Sequence, residues 1–227
     1  GPRNTGCGVY AGHWLYSAGA TLTGRVNPGS TTLAVSDPSR FTRGQYVVIY
    51  DQPAGSFKNA EHARIDSVNT SARTISVSRG YKSEPKVHGA GAIVAQHVLG
   101  QGPDPRLWAY NLSSKSPRDS KGKTFIQFYA DWLGRNLLRY KHGSTTTADI
   151  TGVVFDADFY FEPRIYETDA DNDLVVDDAT SPTGENWQGK GLDEFYARVR
   201  ANLPGKYIQI GLHDGRGYKS AHGAQME

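Results

Sequence analysis

The chain has 227 residues, with 25 Lys and Arg against 23 Asp and Glu and a formal net charge of +2. That balance supplies no basic field for nucleic acid or an anionic membrane, and no apolar run approaches the roughly 20 residues that span a bilayer. A mean hydropathy of −0.55 with 37% hydrophobic residues fits a polar chain that still buries a core, and the single Cys7 excludes an intrachain disulfide framework and a cysteine-based zinc site.

In chain order, Gly1-Pro2-Arg3-Asn4 lacks the form of a signal peptide, which leaves an upstream leader open. From about Thr21 to His97 short β-rich runs alternate with turn residues. The runs are Thr32–Val35, Tyr46–Tyr50, Ala63–Val68, Thr74–Val77 and Ala92–Ala95, separated by Asn27-Pro28-Gly29, Asp37-Pro38, Arg43-Gly44, Asn69-Thr70-Ser71 and Arg79-Gly80. Such spacing predicts a small all-β barrel or sandwich.

After Gly100 the texture changes. Leu107–Tyr110 reads as a short strand. Phe125, Phe128, Tyr129, Trp132, Leu133 and Leu137 recur at helical spacing. Ile150–Phe155 is apolar without alternation, which predicts a parallel strand buried on both faces. Leu192, Phe195, Tyr196, Val199 and Leu203 mark a second helix, stopped by Pro204-Gly205, and Tyr207–Leu212 is a further strand. The order predicts a βαβαβ unit. The expected fold class is therefore α/β, a partial or complete parallel (β/α) barrel-type scaffold interrupted by an all-β module. The expected division is residues 1–20 as the start of the scaffold, 21–100 as the inserted module, and 101–227 as the rest of the barrel-type domain. With about 130 residues outside the β module against the 200 or more of a closed barrel, the barrel is expected to be partial, or the sheet open.

Ligands of parallel α/β sheets sit at the carboxyl ends of strands. Asp156 is the first polar residue after Phe155, and Asp158 follows two residues on, which in an extended chain points it the same way. Two carboxylates are what glycoside hydrolysis requires; the alternative is a loop-capping or lysine-paired Asp156. Trp14, Trp108, Tyr160, Phe161 and Trp187 offer flat faces for sugar rings, or serve in the core. The stretch Asp169-Ala170-Asp171-Asn172-Asp173-Leu174-Val175-Val176-Asp177 places acids at relative positions one, three, five and nine, the spacing of a calcium loop. Leu174 stands where such a loop uses glycine, Thr180 replaces the twelfth-position glutamate, and the flanking helices are missing. Asp178 or a nearby carbonyl would complete the shell; the alternative is a solvated acidic loop. His213-Asp214 is half of a metal pair at a strand end. Asn69-Thr70-Ser71 and Asn111-Leu112-Ser113 are glycosylation sequons by pattern.

Gly152-Val153-Val154-Phe155-Asp156, the acidic loop, Asn186-Trp187, the helix with Phe195-Tyr196 and Arg200, and the segment ending Gly223-Ala224-Gln225-Met226-Glu227 together resemble the uncharacterised glycoside-hydrolase-like TIM-barrel families of bacteria. The resemblance implies one catalytic acid at Asp156, a second at Glu227, and a substrate-side asparagine at Asn111. The segments Thr31–Val35, Phe41–Ile49, Ser78–Tyr81 and His88–Ala92 resemble small β domains of phage tail proteins and carbohydrate-active proteins.

The leading expectation is a glycosidase acting on polysaccharide, with Asp156 as nucleophile or base, Glu227 as proton donor and Asp158 as supporting acid. Asn111, Trp187, Trp14 and His213 are the expected substrate contacts. Asp169, Asp171, Asp173 and Asp177 are the expected calcium ligands, with no organic cofactor. The alternative is a non-catalytic glycan-binding or structural protein of a phage or cell surface. A third reading is a metal-dependent hydrolase using Asp156, Asp158 and His213. The expected partner is a polysaccharide or oligosaccharide, with no nucleic acid, no membrane span and a homodimer to cover sheet edges; an extracellular or surface location is favoured.

Overall fold

The structure is a computed structural model and describes residues 10–100, 104–137, 141–142, 145–146, 151–158, 167–177, 186–212 and 223–225. In chain order the strands are β1 (Tyr16–Ser17), β2 (Ala20–Thr21), β3 (Thr32–Ala34), β4 (Tyr46–Asp51), β5 (Lys58–Asn69), β6 (Thr74–Tyr81) and β7 (Ile93–Gln96). Helix α1 (Phe125–Leu137) follows, then β8 (Lys141–His142), β9 (Thr145–Thr146), β10 (Gly152–Asp158), β11 (Thr168–Asp169), α2 (Trp187–Asn202), β12 (Tyr207–Leu212) and β13 (Gly223–Gln225). The chain forms two units: residues 1–111, 116–119 and 163–178 make one, and 112–115, 120–162 and 179–227 the other.

The first unit is built on a six-stranded antiparallel sheet in the order β2-β7-β4-β5-β6-β3. Its edges meet. Leu22, just after β2, bridges Val35, just after β3, with Thr23 N–H donating to the Ala34 carbonyl at 2.9 Å and Ser36 N–H to that of Thr21 at 2.8 Å. The sheet thus curls onto itself, which removes its exposed edges. Period-two alternation turns Val47, Ile49, Ala63, Ile65, Ile75, Val77 and Val94 into one core with Leu33 and Val35. The opposite face of the β4–β7 region buries Val48, Tyr50, Ile93 and Ala95 against Tyr16 and Phe57. Tyr46–Tyr50 is therefore buried on both sides, and each Val or Ile there contributes about 1.5–3 kcal/mol relative to exposure. Gly19 permits the close approach of β7, since a Cβ there would meet the Val94 carbonyl oxygen at 2.4 Å.

A charged cluster lies inside this unit. Glu61 is fully buried, accepts from Arg79 Nε at 2.6 Å and from Lys86 N–H at 2.5 Å, and lies 3.8 Å from His88 Nε2. Arg79 also donates to the carbonyls of Asn27 and Lys86, and His88 Nδ1 contacts Asp51 at 2.9 Å. Burial raises the Glu61 carboxyl, but the nearby His88 ring and the bonds from Arg79 and Lys86 N–H outweigh that and hold it below the usual carboxylate range.

The second unit packs α1 and α2 together, with Ile126, Ala130, Leu133, Leu192, Tyr196 and Val199 in its core beside Ile208 and Ile210. Gly134 sets the helix separation, because a Cβ there would lie 2.8 Å from that of Asn202. Asp131 on α1 binds Arg198 on α2 through two nitrogens, at 2.6 and 3.0 Å, and also accepts from Lys123. Strands β10, β12 and β13 form a three-stranded parallel sheet.

These observations correct the sequence-based fold class and its family resemblance. The described chain is β-rich, dominated by antiparallel pairing, with two helices; a parallel (β/α) barrel is not supported, and neither is membership of a TIM-barrel family. Two particulars explain the error. Leu107–Tyr110, expected to open the parallel series, makes isolated antiparallel bridges, Leu99 to Trp108 and Trp14 to Tyr110. Strand β10 sits at the edge of its sheet among the described residues, and Val154 is 64% exposed. The apolar run is thus covered on the helical side by Val153 and Phe155 contacts, not on both faces. No helix among the described residues is long and apolar enough to cross a membrane.

Candidate functional site

Within the first unit, β1 and β11 pair antiparallel, Tyr16 with Asp169 and Ser17 with Thr168. The Ala18 N–H donates to the Glu167 carbonyl at 3.0 Å. This pairing brings Glu167 beside the β7 end and the short 3-10 turn Pro38–Arg40, bordering a cleft of about 290 Å³. Ser17, Ser39, Arg40, Thr42, Gln96, His97 and Glu167 line it with Ala18 and Val98. The turn is preorganised: Asp37 caps it by accepting from Ser39 N–H at 3.0 Å and holds Arg40 Nε at 3.4 Å. Gln96 is oriented because its Oε1 accepts from Thr42 N–H at 2.7 Å, and Ser17 Oγ reaches the Gln96 carbonyl at 3.4 Å. The result is a wall of hydroxyls, an amide, a guanidinium and a carboxylate, all groups that pair with sugar hydroxyls.

His97 is 2% exposed and stacks on Trp108 with ring centroids 3.6 Å apart, while Trp14 stacks on Tyr110 at 4.4 Å. The His97 Nε2 lies 3.0 Å from His62 Nδ1. Burial, then the neighbouring His62 and Lys82 charges, hold His97 well below the usual histidine range; burial and Lys82 bring His62 down to about 4. Both rings are therefore neutral near pH 7, one donating a single N–H to the other. Lys82 Nζ lies 4.9 Å from the Trp108 ring, so this indole is enclosed by a histidine and a cation.

The acidic loop lies in the same unit. Asp169 is buried, and its two oxygens accept from Asp173 N–H at 3.0 Å and Leu174 N–H at 2.7 Å. Asp177 accepts from Ala170 N–H at 2.7 Å, whereas Asp173 turns outward to accept from Val175 N–H at 2.8 Å. Asp169, Asp171 and Asp177 each bring a carboxylate oxygen within 4.8 Å of the others. Burial pushes the Asp169 carboxyl up to about 7; bonds from Leu174 and Asp173 oppose this, and the Asp173 and Asp171 charges add to it. Leu174, at the position where glycine is usual, adopts the left-handed region at φ 79°. Three oxygen ligands of this type suit a hard cation.

Of the other expected site residues, Asn111 is buried and donates its Nδ2 to the Ala170 carbonyl at 2.6 Å, bracing the acidic loop; that sequon is enclosed. Trp187 begins α2, capped by Asn186 accepting from Gly189 N–H, and Lys115 and Lys190 place ammonium groups 4.7 and 4.5 Å from its ring. Asp156 and Asp158 lie on the backbone of β10. There three steps from Phe155 to Asp158 match two on β12, from Ile210 to Leu212, a bulge in the ladder. Glu227 and His213 lie outside the described residues, as do Tyr160, Phe161, Asp178 and Thr180. Sequence reasoning did not find Ser17, Ser39, Arg40, Thr42, Gln96 or Glu167. They come from distant segments joined by the β1–β11 pairing, and no local spacing marks them.

No family model matches the chain, and no curated protein matches it. Among solved structures, the chain is similar to the Gp54 tailspike of Acinetobacter baumannii bacteriophage AP22, in complex with A. baumannii capsular saccharide. The identity is 20% over 36% of this chain, with a TM-score of 0.29, and the match spans 14% of the tailspike.

Proposed function

We propose that this chain is a non-catalytic glycan-binding component, with the polar cleft of the first unit as its saccharide site. The observation that carries the reading is the cleft lining itself: Ser17, Ser39, Arg40, Thr42, Gln96 and Glu167 present donors and acceptors from a rigid β framework. The saccharide of the tailspike complex is that protein's ligand, and the reading here stands on the cleft. The leading glycosidase expectation rests on a strand buried on both faces that delivers Asp156 into a hollow, and the exposed Val154 removes support from that premise.

We infer further that the acidic loop takes a calcium ion through Asp169, Asp171 and Asp177, which would stiffen the segment carrying Glu167. The grouping of three carboxylates, with Asp169 buried, supports this. The test of the glycan reading is a glycan array probed with the full chain, followed by calorimetry on the strongest hit. Arg40→Ala is expected to weaken that interaction at least tenfold while the circular dichroism spectrum is retained. Undiminished binding by Arg40→Ala would move the site elsewhere.

A further inference from the structure

Glu167 is a non-glycine residue at φ 46°, in the left-handed region that costs an L-residue about 1–2 kcal/mol. Elsewhere in the first unit such backbone is taken by glycine, at Gly44, Gly55, Gly80 and Gly91, and also by Phe57, Asn59, Arg73, Lys82, Asn172 and Leu174. The Glu167 backbone is fixed by the bond from Ala18 N–H, so the conformation is imposed by strand pairing. Its side chain is exposed, borders the cleft, and makes no hydrogen bond or ion pair among the described residues. Nothing in this backbone calls for an acid, since phenylalanine, asparagine, arginine, lysine and leucine adopt it elsewhere in the unit; what glutamate adds is a carboxylate at the cleft.

The charge pattern bears on what it meets. Asp37 accompanies Arg40 and offsets its charge, leaving that of Glu167 uncompensated in the lining. A carboxylate accepts two O–H donors at once, matching a vicinal pair of sugar hydroxyls. The Nε of Arg40 is taken by Asp37, which leaves its terminal N–H groups to donate to ring or hydroxyl oxygens. A uronate would instead place like charges together.

We propose that Glu167 is the specificity-determining residue of the cleft, accepting paired O–H bonds from vicinal hydroxyls of neutral sugars and turning away uronic acids. This rests on the glycan-binding reading. The test uses the full chain on an array of neutral and uronate oligosaccharides, then calorimetry with the best neutral ligand, for wild type, Glu167→Gln, Glu167→Gly and Arg40→Ala. Neutral glycans are expected to bind and uronates not. Glu167→Gln is expected to lose at least tenfold for neutral glycans and to narrow the gap to uronates. Glu167→Gly is expected to lose binding with an equal or higher melting midpoint. A lower midpoint would make the side chain structural and overturn the proposal. Binding lost in Arg40→Ala but kept in Glu167→Gln would overturn it while leaving the cleft in place. An array on which wild type binds nothing would remove the glycan reading and this proposal with it.

Discussion

His62 Nδ1 and His97 Nε2 face each other at 3.0 Å beside the cleft, and a pair so placed holds one hydrogen between two neutral rings. Protonating both would set N–H against N–H, next to Lys82. The sign follows from linkage. His62 titrates near 4 when folded and near its ordinary 6.5 when unfolded. Between those values the unfolded state binds more protons, so stability is intact above about pH 6.5 and falls as the pH drops toward 4. For His62 alone the loss is up to about 3 kcal/mol, reduced somewhat because the ring is half-buried. Melting midpoints from pH 7.5 to 4 should decline, and His62→Gln should decline less. A histidine NMR titration placing both rings near 6.5 would contradict this.

The buried Glu61–Arg79 pair predicts a different response. Both side chains are almost fully enclosed, and Arg79 also donates to the backbone carbonyls of Asn27, Pro28, Ser30 and Lys86. Removing one partner leaves an unpaired buried charge, for which about 3–5 kcal/mol is typical. Arg79→Met should therefore shift the urea midpoint strongly downward. The double variant Glu61→Leu with Arg79→Met should recover part of the loss, since no charge then remains buried alone. A double variant as unstable as the sum of the singles would show that the carbonyl contacts dominate.

The helix pair of the second unit gives a steric prediction. Gly134 faces Asn202, whose Nδ2 donates to the Ala130 carbonyl at 3.1 Å and reaches Asp131 at 3.3 Å. A methyl at position 134 pushes this side chain away and opens the Asp131–Arg198 clip. Ala has better helix propensity than Gly by about 1 kcal/mol, yet overpacking costs about 1–3 kcal/mol, so a net loss is expected. Gly134→Ala should lower the melting midpoint, and adding Asn202→Gly, which removes the Cβ that the new methyl meets, should recover part of the loss.

Two apolar runs show what the sequence could and could not reveal. Tyr46–Tyr50 and Gly152–Phe155 have the same unbroken texture. The first is buried on both faces in an antiparallel sheet; the second lies at a parallel edge among the described residues, with Val154 exposed. An apolar run without alternation carries no information about its neighbours, so strand position was legible and sheet environment was not. The β-rich runs between Thr32 and Ala95 fall on β3 to β7 because turn residues punctuate them. The cleft had no such mark: Ser17, Arg40, Gln96 and Glu167 meet only through the long-range β1–β11 pairing and the curl of the barrel. Leu174 stands where a calcium loop uses glycine, and its backbone nonetheless takes the left-handed form at φ 79°.

Calcium supplies the last test. Asp169, Asp171 and Asp177 converge, and Asp169 lies one register step from Thr168 and two residues from Glu167. An ion bound to the folded state alone stabilises by RT ln(1 + [L]/Kd), about 2.7 kcal/mol at a hundredfold excess over Kd. Millimolar calcium should raise the melting midpoint of the full chain by several degrees, magnesium much less, because the smaller ion resists losing its water. Asp171→Asn should abolish the rise while folding normally without the ion. Since the loop is continuous with the cleft rim, chelation should also weaken glycan binding in wild type but not in Asp171→Asn, which is weakened already. A midpoint indifferent to calcium, with no terbium luminescence sensitised from the aromatic residues nearby, would reduce the loop to a hydrogen-bonded turn held by Tyr50, Asn111, Asp169 and Asp177.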